Sequence, residues 1–278
     1  MKQETVPSTA SLWRALNASH RLFLIAGPCV LESEELGLKI ARRLKGICAG
    51  LGVTYVFKAS YDKANRSSGE SYRGPGVMAG LASLARIRAQ VGVPVLTDIH
   101  SLDQVSPAAE VCDILQIPAF LCRQTDLIHQ AAASGRIINI KKGQFLAPDD
   151  VGNIVAKAVE ATSGSVPRIL LTERGTTFGY HNLVADMRSI PILNRLGFPV
   201  VFDATHSVQL PGGAGKQSGG QREFAPVLAR CAVVAGARGL FVETHPDPDR
   251  ALSDGPNMVP LSEMGRLLSQ LVRLREAL

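Results

Sequence analysis

The segment RLFLIAGPCVLES, residues 21–33, contains the unit from which we infer the fold. Its first seven residues are almost continuously apolar, which is what a parallel strand buried on both faces requires. After Cys29, Ser33 can cap a helix whose first turn holds two glutamates, where carboxylates favour the positive end of the helix dipole. The segment therefore predicts a strand, a turn that contains a cysteine, and a helix.

Similar apolar runs recur along the chain, and most of them turn polar at their C-terminal ends. They are TYVFKAS (54–60), VPVLTDI (93–99), DILQIPA (113–119), IINIKK (137–142), RILLTER (168–174), FPVVFDA (198–204) and GLFVETH (239–245). Helical patterns lie between them, with predicted apolar faces at Leu36, Ile40, Leu44 and Ile47; at Val151, Val155 and Val159 after Asp149 or Asp150; at Val227, Cys231 and Val234; and at Met264, Leu267, Leu271, Leu274 and Leu278.

Eight strands alternating with helices in 278 residues predict an α/β protein of one domain, a (β/α)8 or TIM barrel, with a doubly wound sheet as the alternative. We assign residues 1–20 to an N-terminal extension and residues 21–278 to the barrel domain. The active site of a barrel lies at the C-terminal ends of its strands. That is where the polar residues of these runs are concentrated.

Composition limits the classes of function. The chain is 46% hydrophobic and 19% charged, has a formal net charge of +6 and contains only 5% aromatic residues. Because its lysines and arginines are scattered, the charge suits a small anionic substrate at least as well as nucleic acid, and few aromatics are available for base stacking. Five irregularly spaced cysteines indicate a reducing compartment, and no signal peptide or membrane-spanning run is recognisable, so we expect a soluble, cytoplasmic protein.

Several cations fall at or just after predicted strand ends. They are Lys58, Lys63, Arg66, Arg123, Lys141 and Arg174. Any one of them alone is better explained as a solvated surface charge. In a barrel the whole set would converge on one mouth, where arginine and lysine bind phosphate or carboxylate groups. The set therefore predicts a site for substrates with more than one anionic group.

Four residues near the ends of strands one, seven and eight are possible metal ligands: Cys29, His206, Glu243 and Asp254. These strands are neighbours in a closed barrel, and a thiolate, an imidazole and two carboxylates suit a divalent metal. Two alternatives exist for Cys29, an inert buried thiol and a nucleophile that His206 activates. His245 is either a competing ligand or a residue that supports the ligands.

Eight stretches, taken together and in order, resemble the 3-deoxy-D-manno-octulosonate 8-phosphate synthases. They are AGPCVLES, FKASYDKANRSS, LTDIH, DILQIPAFLCRQTDL, NIKKGQF, TERGTTFGYHNLVADMRS, FDATHSVQ and FVETHPDPDRALSDGPNM. The resemblance implies a (β/α)8 barrel that assembles as a homotetramer. It also implies an enzyme that condenses phosphoenolpyruvate with D-arabinose 5-phosphate and releases inorganic phosphate, in the biosynthesis of the lipopolysaccharide inner core.

The resemblance also implies roles for individual residues. It assigns the carboxylate of phosphoenolpyruvate to Lys58, Ser60, Lys63 and Gln144. It assigns the phosphate of phosphoenolpyruvate to Lys141, Arg174 and the chain near Ala119. The phosphate of the sugar is assigned to Asn65, Arg66 and Ser67. Arg123 matches an arginine that reaches a neighbouring subunit's site. Asp98 matches a polar residue near the reacting centre, and we take Lys63, Asp98, His206 and Asp254 as the catalytic set.

The residue at position 29 separates two branches of this family. Members with cysteine there depend on a metal, and members with asparagine do not. Because Cys29 occurs together with His206, Glu243 and Asp254, the sequence resembles the metal-dependent branch. One divalent ion per subunit is expected, and zinc, iron and manganese all remain open.

Two other functions are weighed against this one. The 3-deoxy-D-arabino-heptulosonate 7-phosphate synthases resemble the same barrel but use erythrose 4-phosphate, and they typically have a KPRTSP-like stretch where this chain has KANRSS (63–68). A barrel that only binds a phosphorylated metabolite is the other alternative. The complete set of anion and metal residues favours an enzyme.

Overall fold

The computed structural model describes residues 6–18, 20–64, 72–212 and 219–278. Eight parallel strands form its centre: β1 (Phe23–Gly27), β2 (Thr54–Lys58), β3 (Val95–Asp98), β4 (Ile114–Ile117), β5 (Ile137–Lys141), β6 (Ile169–Glu173), β7 (Val200–Asp203) and β8 (Gly239–His245). Each strand pairs with the next, and β8 pairs with β1 from Phe23↔Gly239 to Gly27↔Glu243. The sheet is therefore closed, which confirms the predicted (β/α)8 barrel and excludes the doubly wound sheet.

Helices follow the strands around the barrel. Within the described residues they are α1 (Thr9–Leu16), α2 (Glu34–Gly50), α3 (Val77–Val91), α4 (Val105–Val111), α5 (Thr125–Ala133), α6 (Val151–Glu160), α7 (Ser189–Asn194), α8 (Ala225–Val234) and α9 (Met264–Glu276). Short two-stranded ribbons join Thr176–Thr177 to Leu183–Val184 and Gln209–Leu210 to Gly219–Gly220. None of the described helices is long and apolar enough to cross a membrane.

The first strand and helix form as the opening segment predicts. The side chain of Ser33 accepts a hydrogen bond from the backbone N–H of Leu36 and caps α2. Gly27 ends β1 where β2 passes so closely that a Cβ atom on it would overlap the carbonyl oxygen of Lys58. Glycine at this position therefore lets the two strands converge beneath the residues that follow them.

The prediction of which side of α8 faces the core is wrong. Val227, Cys231 and Val234 are exposed, and the helix buries Ala225, Ala229, Ala232 and Val233 instead. Three of these four buried residues are alanines, whose small side chains let the helix lie close to the barrel. In the same way Val159 and Leu278 are exposed, although the other residues predicted for their faces are buried or partly buried.

The barrel interior has two layers of different polarity. Side chains from the first half of each strand form an apolar cluster that contains Phe23, Ile25, Val56, Leu96, Ile114, Ile137, Leu170, Val201 and Phe241. Two positions further along most of these strands, the inward residue is polar, because inward positions recur with a period of two. This second layer comprises Lys58, Asp98, Gln116, Asn139, Thr172, Asp203 and Glu243, all of them buried. The polar layer is the floor of the site described below.

Helix α1 closes the apolar end of the barrel. Its Leu12 and Leu16 are buried and belong to the same cluster as Phe23 and Phe241. Ser8 begins the helix and accepts a hydrogen bond from the backbone N–H of Ser11. This helix lies within the segment that we assigned to an N-terminal extension, and the boundary at residue 20 stays a prediction.

We expect Leu12→Ala and Leu16→Ala each to lower the free energy of unfolding by about 2–5 kcal/mol, because each opens a cavity against a packed interior. Urea denaturation followed by circular dichroism measures the change. Arg14→Ala, on the exposed side of the same helix, should change it by less than about 0.5 kcal/mol. Equal effects of the leucine and arginine substitutions would contradict the packing of α1 into the barrel.

Candidate active site

A cleft of about 1030 Å³ opens at the C-terminal ends of the barrel strands. Its polar lining includes Lys58, Lys63, Asp98, His100, Gln116, Lys141, Gln144, Arg174, His206, Gln209, Ser253 and Asp254, and the backbone around Ala119 forms one side. The cleft therefore collects residues that are far apart in the sequence, as predicted for the mouth of a barrel.

Two of the cations are buried within the floor and held by carboxylates. Lys58 Nζ lies 2.9 Å from Glu243 Oε1 and 3.0 Å from the carbonyl oxygen of Cys29. Lys141 Nζ lies 2.6 Å from Asp203 Oδ2. Burial lowers the pKa of Lys141 despite the carboxylate beside it. Each lysine is thus fixed by an ion pair, which limits the cost of removing its charge from water.

Lys63 stands above this floor, and its Nζ lies 4.0 Å from Glu243 Oε1. Burial opposes protonation of its amine, but the nearby carboxylates of Glu243, Asp98 and Asp254 favour it and raise its pKa. Lys63 therefore carries a proton at neutral pH. A protonated amine at the cleft surface can neutralise an anion or donate a proton to one.

Arg174 is buried and retains an unused hydrogen-bond donor. Its Nη2 donates to Gln209 Oε1 at 3.1 Å, whereas its Nη1 has no hydrogen-bond partner among the residues that the structure describes. The turn that carries it is held by Glu173 Oε1, which accepts from the backbone N–H groups of Arg174 and Gly175. A buried guanidinium nitrogen without a partner is costly. Its position in the cleft suits a bound anion.

Three of the four predicted metal ligands lie together. One ligand atom from each of Cys29, Glu243 and Asp254 falls within 4.8 Å of the other two. Cys29 Sγ is 2.9 Å from Asp254 Oδ2 and 2.9 Å from Ser253 Oγ, while Glu243 Oε2 is buried with no hydrogen-bond partner among the described residues. A thiol beside two carboxylates, one with an unpaired buried oxygen, fits a divalent metal ion.

His206 stands next to this group rather than inside it. Its Nε2 is 3.6 Å from Glu243 Oε2, and its Nδ1 is 2.8 Å from Asp203 Oδ2. Because an ionised carboxylate only accepts hydrogen bonds, Nδ1–H donates to Asp203 and leaves the Nε2 lone pair facing Glu243. This is the tautomer that a metal ligand requires. The sequence placed Asp203 at a strand end without assigning it this role.

His245, the other histidine weighed as a ligand, points elsewhere. Its Nδ1 contacts the backbone of Asp247, and its Nε2 lies 3.8 Å from Glu32 Oε2. It is absent from the group of ligand atoms found among the described residues. His245 therefore stabilises its own loop against the segment that follows Cys29.

The Cys29 thiol is poorly suited to act as a nucleophile. Burial raises its pKa well above the usual range, and the carboxylates of Asp254 and Glu243 raise it further. The thiol is fully buried, and the hydrogen bonds given above go to Ser253 and Asp254 rather than to His206. The arrangement disfavours the nucleophile hypothesis, since the thiol does not contact His206, the base that this hypothesis requires.

Asp98 is held from two sides at the edge of the cleft. Its Oδ2 accepts a hydrogen bond from Ser60 Oγ and its Oδ1 accepts one from Gln116 Nε2. Burial opposes its ionisation, but Lys58 and Lys63 outweigh burial and hold its pKa below the usual range. Ser60 itself is fully buried and does not line the cleft. Asp98 is thus a fixed carboxylate that faces the cleft.

The remaining predicted residues divide between the cleft and its surroundings. Gln144 and Ala119 line the cleft, and Gln144 Oε1 is buried without a hydrogen-bond partner among the described residues. Arg123 is exposed and lies outside the cleft of its own chain. Asn65, Arg66 and Ser67, predicted for the sugar phosphate, lie outside the described residues.

Known proteins resemble this chain along most of its length. The model of the DAHP synthetase I family matches residues 16–278. The chain belongs to this family. Within it, the chain is 61% identical over 255 residues to the 2-dehydro-3-deoxyphosphooctonate aldolase of Azoarcus sp. (strain BH72), covering 92% of this chain and 91% of the relative. It is 60% identical over 262 residues to the protein of the same name from Bordetella pertussis (strain Tohama I / ATCC BAA-589 / NCTC 13251), covering 93% and 92%.

A third relative with this name, from Geobacter metallireducens (strain ATCC 53774 / DSM 7210 / GS-15), is 60% identical over 256 residues, covering 92% of this chain and 93% of the relative. 2-Dehydro-3-deoxyphosphooctonate aldolase is another name for 3-deoxy-D-manno-octulosonate 8-phosphate synthase. The resemblance drawn from the sequence motifs is therefore confirmed, and the heptulosonate synthases are not favoured.

We expect iodoacetamide at pH 7 to alkylate the exposed Cys231 well before Cys29, because Cys29 is buried and its pKa is raised. Peptide mass spectrometry over time measures both rates, with denatured protein as the control in which all thiols react. Equal labelling of the two cysteines in the folded chain would contradict the buried, protonated thiol.

We also expect the chain, stripped with a chelator and then incubated with zinc, to retain about one ion per subunit, because thiol and carboxylate ligands already lie together. Cys29→Ala should lose this ion and remain folded, whereas Cys48→Ala, which removes a buried thiol in α2, should keep it. Elemental analysis and circular dichroism measure the two properties. Full retention of zinc by Cys29→Ala would contradict the site.

Proposed function

We propose that the chain is a 3-deoxy-D-manno-octulosonate 8-phosphate synthase. It condenses phosphoenolpyruvate, D-arabinose 5-phosphate and water into 3-deoxy-D-manno-octulosonate 8-phosphate and inorganic phosphate, for the lipopolysaccharide inner core. The observation that carries the proposal is a cleft that holds together Lys58, Lys63, Lys141 and Arg174, whose Nη1 has no hydrogen-bond partner in the part of the chain that the structure describes. The name shared by relatives that are about 60% identical supports it.

The cations suit the two ends of phosphoenolpyruvate. Its phosphate is assigned to Lys141, Arg174 and the chain at Ala119. Nη1 of Arg174, which no described residue contacts by a hydrogen bond, supplies a donor for it. Its carboxylate is assigned to Lys58, Lys63 and Gln144. Ser60 acts from beneath, since its hydroxyl donates to Asp98. Binding at two charged ends would fix the enol carbon between them.

The reaction forms one carbon–carbon bond and one carbon–oxygen bond, and it breaks the carbon–oxygen bond to phosphate. The methylene carbon of phosphoenolpyruvate attacks the aldehyde carbon of the sugar, and water adds to the carbon that carries the phosphate oxygen. Phosphate then leaves, the water oxygen becomes the ketone oxygen by losing its two protons, and the aldehyde oxygen becomes a hydroxyl by gaining one. Lys63, protonated at neutral pH, is placed to supply that proton, and Asp98 is placed to accept a hydrogen bond from the sugar or the water.

Cys29, His206, Glu243 and Asp254 would hold the proposed divalent ion, which we expect to be zinc, iron or manganese. Such an ion supplies a Lewis acid that can polarise or orient an oxygen of the substrates. His206 contributes Nε2, because Asp203 holds the proton on Nδ1. Asp254 is drawn towards its ionised form, because the Lys63 charge and the hydrogen bonds from Cys29 and Ser253 oppose the effect of burial and lower its pKa. These residues therefore have the protonation states that metal binding needs, apart from the thiol.

Assembly and location complete the proposal. The sugar phosphate is assigned to Asn65, Arg66 and Ser67, and Arg123 is assigned to the cleft of a neighbouring subunit. The exposure of Arg123 supports that assignment, since it lies outside its own cleft. We expect a cytoplasmic homotetramer.

Two functions compete with this one. A heptulosonate 7-phosphate synthase would use the same phosphoenolpyruvate site, so only the choice of aldose separates it. A regulator that binds phosphoenolpyruvate without turnover would need no acid, base or metal group. The shared name of the relatives and the presence of Lys63, Asp98 and the Cys29 cluster favour the synthase.

Phosphate release from phosphoenolpyruvate should be faster with arabinose 5-phosphate than with erythrose 4-phosphate, by at least about ten-fold in kcat/KM, because KANRSS (63–68) differs from the rival's pattern. A phosphate-coupled assay under matched conditions measures both. Preference for erythrose 4-phosphate would establish the rival. Tight binding of phosphoenolpyruvate without turnover of either sugar would establish the regulator.

Arg174→Lys should raise the KM for phosphoenolpyruvate by about ten-fold or more, because lysine cannot reproduce a planar guanidinium that bonds both Gln209 and an anion. Steady-state kinetics measures it. Arg188→Lys is the matched control, since the Arg188 side chain is exposed and forms its ion pair with Asp186, two residues away. A similar KM in all three proteins would show that Arg174 does not bind phosphoenolpyruvate.

A further inference from the structure

A row of hydrogen-bonded polar side chains crosses the barrel interior beneath the cleft, from β6 to β3. Thr172 Oγ1 donates to Asn139 Oδ1 at 2.6 Å, and Asn139 Nδ2 donates to Gln116 Oε1 at 2.7 Å. Gln116 Nε2 then donates to Asp98 Oδ1. Thr172, Asn139 and Gln116 are each at most 2% exposed. Thr172 and Asn139 do not line the cleft, and the row ends at Asp98, which does.

The row has a direction, because every member donates towards Asp98. An ionised carboxylate only accepts hydrogen bonds, so Gln116 must turn its NH2 group to Asp98 and its carbonyl oxygen to β5. Asn139 must then turn its NH2 group to Gln116 and its oxygen to β6, where the Thr172 hydroxyl donates. If either amide turned over, two donors or two acceptors would face each other in a buried place. Asp98 thus sets the orientation of both amides, and Thr172 is the last donor of the row, which satisfies the carbonyl oxygen of Asn139.

We propose that Thr172 and Asn139 are positioning residues that act on the reacting centre through Gln116 and Asp98. The proposal rests on the proposed function. Gln116 holds Oδ1 of Asp98 while Ser60 holds Oδ2, so the plane of the carboxylate is fixed towards the cleft. A fixed acceptor is already oriented for a hydroxyl of the sugar or for the attacking water, and it needs no reorganisation during the reaction.

Thr172→Val tests the proposal, because valine keeps the shape of threonine and removes only the donor. We expect kcat to fall about ten-fold while the KM for phosphoenolpyruvate changes less than about two-fold, since its binding groups are untouched. Thr172→Ser should restore kcat, because serine supplies the hydroxyl again. Thr97→Val is the matched control. Thr97 is equally buried and donates to the carbonyl of Ala59 at 2.9 Å, so its loss should lower the melting temperature and leave kcat within about two-fold.

A second experiment shows whether Thr172 acts through Gln116. Gln116→Met should lower kcat at least as much as Thr172→Val does, and the double variant should be no slower than Gln116→Met alone, because the row is already broken. If kcat of the double variant falls by the product of the two single-variant factors, Thr172 acts by a route other than Gln116. Asn139→Leu breaks the row in its middle and should show the same loss of kcat at constant KM if Thr172→Val fails to fold.

The outcomes separate this proposal from the function on which it rests. A wild-type chain that does not turn over phosphoenolpyruvate and arabinose 5-phosphate would overturn the proposed function. An active wild type with unchanged kcat in Thr172→Val and Asn139→Leu would overturn the positioning role alone. A lower melting temperature with an unchanged kcat would also overturn the positioning role, since the row would then only stabilise the fold.

Discussion

The rest of the site depends on the burial of positive charge at one end of the barrel. Lys58, Lys141 and Arg174 are 1%, 6% and 4% exposed, and a buried cation is costly unless a counter-charge or hydrogen bonds surround it. Glu243 and Asp203 supply counter-charges for the two lysines, whereas one guanidinium nitrogen of Arg174 has no partner among the described residues. A bound anion would complete what the protein leaves unsatisfied.

The same carboxylates connect the anion site with the candidate metal ligands. Glu243 uses Oε1 for Lys58 and turns Oε2 towards His206, and Asp203 contacts both Lys141 and His206 through Oδ2. The two sites thus share their negative charges. A change at one of them alters the electrostatic potential at the other, so effects of substitutions in this floor should not be additive.

The polar floor lies on an apolar layer that α1 closes at the other end of the barrel. Leu12 and Leu16 of α1 complete an apolar layer around Phe241, and the Nζ of Lys141 lies 3.9 Å from the centre of the Phe241 ring. Stability therefore comes from the layer below, where packing is apolar. The layer above is free to carry charges and hydrogen bonds whose arrangement serves the cleft.

The strands and the mouth of the barrel were predictable from the sequence, because buried parallel strands are continuously apolar and their ends are polar. The burial of α8 was not, since its packed face consists mainly of alanines, while Val227 and Val234 point outward. Gln116, Asn139 and Thr172 were missed although each follows an inward apolar residue by two positions. When both faces of a strand are buried, the sequence does not show which residues point inward. Distances between Cys29, Glu243 and Asp254 likewise depend on the closure of the barrel.

The most direct test of this account is a crystal structure of the chain with phosphoenolpyruvate. We predict that its phosphate contacts Lys141 and Nη1 of Arg174, and that its carboxylate lies against Lys58, Lys63 and Gln144. Phosphoenolpyruvate bound outside this cleft, or in it with Arg174 Nη1 still unpaired, would contradict the account.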